Sequence, residues 1–244
     1  MIGKTNNPHG FTLIELVIVI LILGVIGTVA TLRMSESIET SRFEQTKQEL
    51  DQLATAILGN PRVYSDGARG DFGFVGDNGC FPSNLDQLVQ NPGWATWDGP
   101  YVESGPNGDD FKRDGWNVNY TYTDTLIRST GSGGNIDKLI AASSAALLSN
   151  IVSGYVVDAD MEPPTGGYVD SVTIVLTCPD GTGGWAQLAL HPDAHGRFSY
   201  AAVPIGNHSL RVIHEPASDT MSYSVTVYPE RDVSLDIVFP ADLW

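Results

Sequence analysis

Three residues near the start of the chain, Gly10, Phe11 and Glu15, have the types and spacing from which chemistry follows. Glu15 is the one charged residue between Phe11 and Leu32, in a run that is otherwise almost wholly apolar. A carboxylate inside lipid costs several kcal/mol unless something pairs with it, so an ionisable residue there reads as functional. It stands one helical turn beyond Phe11. Scission after Gly10 would turn the Phe11 nitrogen into an α-ammonium group, the natural counter-charge. That pair could form within one chain or between neighbouring helices stacked with an axial offset.

Elsewhere the reactive side chains fall short of what their reactions need. His191 and His195 straddle a turn with Asp193 between them, but zinc requires a third and fourth ligand converging there, and His208 and His214 read as ordinary surface or turn residues. His214-Glu215 lacks the second histidine of a zinc-protease helix, and Pro216 would break that helix. Asp158, Asp160 and Glu162 alternate like the start of a calcium loop, yet Pro163 replaces its glycine. No G-x-S-x-G elbow occurs, and Gly3-Lys4-Thr5 lacks the upstream glycine of a phosphate loop. We expect no enzyme, no catalytic residue and no metal ligand. Cys80 and Cys178 are nearly 100 residues apart, and a disulfide between them is the lesser alternative to two free thiols.

The elements that must position Glu15 are legible. A run of about 22 apolar residues in a helix is roughly 33 Å long, enough to cross the hydrocarbon of a bilayer. From Arg33 to Leu58 charged residues interleave with Ile38, Phe43, Leu50, Leu53, Ile57 and Leu58 at three- and four-residue steps, which makes one apolar stripe. Gly59-Asn60-Pro61 ends the helix, because glycine supplies a left-handed terminal residue and proline cannot continue. This predicts one helix of roughly 45 to 50 residues, half in lipid and half packed on a globular head.

The 244 residues carry a formal charge of −16. Loss of residues 1–10 removes Lys4, leaving 12 basic and 29 acidic residues, or −17. Such a chain repels phosphate backbones, which argues against nucleic acid as a partner.

Gly10-Phe11-Thr12-Leu13-Ile14-Glu15-Leu16 resembles the signal of type IV pilins and type II secretion pseudopilins. The resemblance implies that a prepilin peptidase cuts between Gly10 and Phe11 and methylates the Phe11 amine. It also implies that Glu15 docks subunits into a filament, and that an inner-membrane assembly platform and other pilin-like subunits are partners. Before assembly the chain would be a single-pass protein of the bacterial inner membrane, in contact with lipid; afterwards it would lie in a periplasmic or extracellular filament. The alternatives are an uncleaved signal anchor and, less favoured, a secretory signal, for which no A-x-A site follows the apolar run.

Residues 61–80, rich in glycine and aspartate, read as a long loop or short hairpin. Phe81-Pro82-Ser83-Asn84-Leu85-Asp86-Gln87-Leu88-Val89 begins like a capped short helix. With Trp97-Asp98-Gly99-Pro100-Tyr101 and Asp114-Gly115-Trp116-Asn117 it is similar to the major-pseudopilin head, although Gly115 and Asn117 stand where that family has proline and glycine. Trp94, Trp97 and Trp116 read as turn residues covering a small core rather than a ligand platform. The family's calcium loop corresponds to Ile127 through Asp137, with Ser132 in place of an aspartate and only Asp137 retained; we expect no cofactor, with calcium here the one option left open. Asp109, Asp110 and Asp114 read as a solvated acidic cluster. Residues 135–150 suit either a linking helix or an extended segment.

Beyond Ile151 about seven short β-rich runs alternate with Gly, Pro and Asp turns, the pattern of an antiparallel sandwich. Ser153-Gly154-Tyr155-Val156-Val157-Asp158, His195-Gly196-Arg197-Phe198-Ser199-Tyr200 and Val203-Pro204-Ile205-Gly206-Asn207-His208-Ser209-Leu210 resemble the carboxypeptidase regulatory-like, transthyretin-type sandwich. That likeness speaks to fold and not to ligand. An intradomain Lys–Asn isopeptide bond is excluded, since the last lysine is Lys138.

The expectation is therefore an α+β chain. It comprises a leader (1–10), an assembly helix (11–59), a small α/β pseudopilin-like head (60–137), a linker (138–150) and an all-β antiparallel sandwich (151–244). Its expected role is a pilin-like structural subunit of a type IV pilus or type II secretion pseudopilus, displaying the sandwich on the filament. The alternative is a membrane-tethered binding or adhesion module that does not polymerise.

Overall fold

A computed structural model describes residues 12–65, 67–105 and 108–244. The class is α+β, a long N-terminal helix followed by mostly antiparallel sheets. Helix α1 spans Leu13–Leu58, 46 residues, within the length range the sequence predicts. Gly59 closes it with φ +76°, donating its N–H to the Thr55 carbonyl at 2.6 Å. A side chain there would be strained twice, because its Cβ would also lie 2.5 Å from the Asp71 carbonyl oxygen. Contacts divide the chain into two compact units, one ending at Gln45 and one running from Thr46 to Trp244.

In the first unit the apolar side chains from Leu13 to Leu32 are exposed all round the helix. In the second, the part of α1 from Thr46 onward buries Thr46, Leu50, Leu53, Ala54, Ala56 and Ile57. The three- and four-residue steps of Thr46, Leu50, Leu53 and Ile57 put them on one face. At about 1.5–3 kcal/mol for each large side chain, Leu50, Leu53 and Ile57 anchor this segment. The stripe starts later than its sequence suggests: Ile38 and Phe43 remain exposed.

The head follows as a hairpin of β1 (Tyr64–Ser65) and β2 (Ala68–Arg69), then a short α2 (Gly73–Asn78) that the glycine-rich sequence did not announce. A 3-10 turn at Leu85–Leu88, capped by the Asn84 side chain, matches the expected short helix. Strands β3 (Thr121–Thr123), β4 (Leu126–Ser129) and β5 (Ile136–Leu139) form an antiparallel sheet around the fully buried Ile127. Of the two readings of 135–150, each holds in part: β5 is extended, and α3 (Ser144–Leu148) is a helix capped by Ser143.

The sandwich has seven strands: β6 (Asn150–Val157), β7 (Val172–Pro179), β8 (Trp185–Leu190), β9 (Arg197–Val203), β10 (Gly206–His214), β11 (Asp219–Val227) and β12 (Val233–Val238). One sheet runs β11-β10-β7-β8 and the other β12-β6-β9. All pairs are antiparallel except β6–β12, which is parallel. That departs from an all-antiparallel sandwich, and alternation alone cannot reveal it because strand direction leaves the period unchanged. Period-2 burial is clear in β10, where residues 206, 208, 210, 212 and 214 point inward. Head and sandwich share packing: Ile205 is fully buried in the head cluster with Leu53, Phe74 and Leu88, and its N–H donates to the Leu147 carbonyl. Gly183 admits the Trp94 ring, since a Cβ there would come within 2.2 Å of it.

Candidate functional site

Of the residues read as processing and assembly groups, Gly10 and Phe11 lie outside the described residues. Glu15 lies in the first turn of α1, exposed, its N–H donating to Thr12 Oγ1 at 3.3 Å. Around it Ile14, Leu16, Val17, Ile18 and Val19 are all exposed, between 45 and 64 %. A helix apolar on every side is stable only where lipid or other helices cover it. By length and composition α1 can cross a membrane.

Asp114 overturns the expectation of a solvated acidic cluster. It is 5 % exposed and is the hub of the turn before β3. Its Oδ1 accepts the N–H groups of Trp116 and Val118 at 3.0 and 2.9 Å. Its Oδ2 accepts the Ser129 hydroxyl at 2.6 Å and the Gly131 N–H at 3.0 Å. Burial works against the charged form, but these hydrogen bonds outweigh it and hold the carboxyl below its usual range. The unusual Asn117 is accommodated at φ +65°, a left-handed conformation that asparagine tolerates. Asp109 pairs instead with Lys112, at 2.8 Å.

The loop likened to a calcium site has its acid engaged. Both Asp137 oxygens accept from the Arg128 fork, at 2.6 and 2.8 Å. Among the described residues no group of three or more His, Cys, Asp or Glu side chains converges. Asp158 is fully buried; its Oδ1 caps the turn by accepting from Asp160 and Glu162.

The histidines divide. His191 and His195 are exposed, as expected, and Asp193 accepts the N–H groups of His195 and Arg197 in a turn. His208 and His214 are core residues, 4 and 5 % exposed, which corrects their reading as surface groups. The alternation His208-Ser209-Leu210-Arg211-Val212-Ile213-His214 carried that signal, since both histidines fall on the inward parity of β10. Desolvation lowers the His208 pKa, and its Nε2–H donates to the Pro204 carbonyl at 2.7 Å. Cys80 and Cys178 are free thiols, and burial pushes Cys80 up to about 11.

Trp94, Trp97 and Trp116 pack half-buried against the head core, as expected of turn aromatics. The Trp97 Nε1–H donates to the Gln87 carbonyl at 2.7 Å. Beside it Asp77, at the end of α2, accepts the Tyr101 hydroxyl at 2.8 Å. Burial, and secondarily the nearby charge of Asp98, push Asp77 up to about 6 despite that hydrogen bond. The folded protein therefore binds more protons than the unfolded chain between about pH 4 and 6, and stability falls as pH rises through that window. Asp77→Asn should raise stability at pH 7 by about 1 kcal/mol, solvent screening of this half-buried group allowed for, and flatten this dependence; urea melts at pH 4.5 and 7.5 check it.

Comparison with known proteins adds one assignment. The model of the prokaryotic N-terminal methylation motif matches residues 5–31, the segment holding Gly10, Phe11 and Glu15. No curated protein sequence matches the chain. Among solved structures, a DUF3823 family protein from Parabacteroides merdae shares 14 % identity at TM-score 0.31, covering 38 % of this chain and 46 % of its own. BcpA, the major pilin subunit of Bacillus cereus, shares 14 % identity at TM-score 0.29, covering 48 % and 37 %. A streptococcal ancillary pilin shares 14 % at TM-score 0.27, covering 49 % and 43 %. The chain thus spans less than half the length of each of these. The assignment that stands is an N-terminal methylation motif on a long apolar helix, ahead of a β-rich unit.

Proposed function

We propose that the chain is a pilin-like structural subunit, cut by prepilin peptidase between Gly10 and Phe11, methylated on the Phe11 amine, and assembled into a filament. One observation carries this reading: the methylation motif coincides with a helical segment, Leu13 to Leu32, that is apolar on every side and bears a single carboxylate, Glu15. In lipid the apolar residues are solvated and Glu15 is the liability. Transfer into a helix-packed filament keeps the apolar residues covered and brings Glu15 to the Phe11 ammonium of a neighbour. The pair compensates a charge that would otherwise be buried alone. The inner membrane, the peptidase and an assembly platform are the partners of this pathway, and no step in it needs catalysis or a cofactor from this chain.

Mass spectrometry of the N-terminus is the test. A mature chain beginning at N-methylated Phe11 is expected; an intact Met1 would leave a tethered module and exclude polymerisation by this route. Within the proposal, a type II secretion pseudopilus is favoured by the short capped helix and Trp-x-Gly-Pro-Tyr turn of the head, and a surface pilus by the sandwich. Electron microscopy of sheared cell-surface material separates them: labelled filaments mean a pilus.

A further inference from the structure

Beside α2 lies a cavity of about 310 Å3, bordered from the head by Asp77, Thr96, Trp97 and Asp98 and from the sandwich by Trp185 and Asn207. That volume is at the lower end of small-molecule sites, about 300 Å3. Several of its polar groups are already engaged. The Thr96 hydroxyl donates to Asn78 Oδ1 at 2.9 Å. The Asn207 amide donates to the Arg69 carbonyl at 3.0 Å, and its oxygen accepts from Thr226 at 2.8 Å. Asp77 uses one oxygen for Tyr101. Among the described residues, nothing donates to the other Asp77 oxygen or to the Asp98 carboxylate, and neither carboxylate has an ion pair. The functions offered to a ligand are thus chiefly acceptors, and they are negative.

The apolar part of the lining, with Phe72 and Ala95, includes two indoles. Trp97 is oriented by its bond to Gln87 and by Tyr101 edge-on, with ring centroids 5.6 Å apart at 84°. Trp185, at the start of β8, is 56 % exposed. Indole faces and carboxylates together attract one chemistry strongly: a cation that carries hydrocarbon. A bare calcium ion is a poor fit, because it takes six to eight oxygens and gains nothing from indoles. A neutral sugar would ask for donors as well as acceptors. The burial that disfavours ionised Asp77 adds to the case, since a ligand cation would offset it.

We propose that this pocket binds a small organic ammonium ion, its hydrocarbon against Trp97 and Trp185 and its charge beside Asp77 and Asp98. The inference is independent of polymerisation, since all six residues belong to the unit beginning at Thr46. The test is calorimetric titration of the full-length chain, held in a polyoxyethylene detergent that contains neither sugar nor choline. Choline is the probe. Controls are 3,3-dimethyl-1-butanol, which keeps its shape without the charge, phosphocholine, which brings a phosphate to the carboxylates, and lactose.

Saturable choline binding is expected, with both choline analogues weaker by about tenfold or more and lactose silent. Trp185→Ala, at an exposed position where folding is not at stake, should weaken choline about 3- to 10-fold, and Asp98→Asn by a similar factor. Equal affinity for the neutral isostere, tighter binding of phosphocholine, saturable binding of lactose, no choline binding, or an unchanged constant in Trp185→Ala would each overturn the proposal.

Discussion

Glu15→Val should leave cleavage after Gly10 and methylation of Phe11 intact while filaments disappear from the cell surface or periplasm. The variant deletes the one charge in a run long and apolar enough to span a bilayer, so membrane insertion should become easier: a carboxylate there costs several kcal/mol. In the proposed filament it also removes the partner for a neighbour's Phe11 ammonium. That ammonium would then enter the filament core unpaired, and stranding one member of a buried ion pair costs about 3–5 kcal/mol. Repeated at every subunit contact, such a cost prevents growth. Immunoblotting for the processed form alongside electron microscopy separates the two effects. Filaments of normal number and length in Glu15→Val would sink the pairing mechanism, and loss of cleavage would show that Glu15 belongs to peptidase recognition instead.

The second large effect is expected at Asp114, far from any surface role. Asp114→Ala orphans the Ser129 hydroxyl and the N–H groups of Trp116, Val118 and Gly131 at once. Each unsatisfied buried donor costs about 1–3 kcal/mol, and with some rescue by water the sum should reach about 3–5 kcal/mol. Asp114→Asn keeps an acceptor oxygen and should lose less. The sign of the pH dependence follows from the same bonds. The folded carboxyl is held below the usual value, so its stabilisation is complete above the unfolded pKa of about 4 and is lost as pH falls below that. Urea melts of both variants at pH 3.5 and 7 measure it: the gap between wild type and Asp114→Ala should narrow at the lower pH. An Asp114→Ala protein as stable as wild type would mean that the turn finds other acceptors.

Much of this organisation was legible because it is written in local periodicity. The end of α1 at Leu58 followed from Gly59-Asn60-Pro61, and the seven sandwich strands from alternation between turn residues. Asp114 was misread because nothing nearby in sequence marks it as buried: two of its four donors, Ser129 and Gly131, lie 15 and 17 residues away. The pairing of Asp137 was not legible either, because its partner, Arg128, meets it only through the β4–β5 register.

The sequence by itself determined the part of the molecule that answers to solvent. A helical run apolar on every face, one acid within it and a methylation motif around its start need no fold to be recognised, because their meaning depends on the surrounding solvent and on the next residue along the chain. Tertiary structure alone decided where distant segments meet. It placed Ile205 in the head core, paired β12 parallel to β6, and brought Trp185 opposite Asp77 and Trp97 around one cavity. No local pattern encodes those meetings, since each is set by how two independently regular segments pack once both have formed.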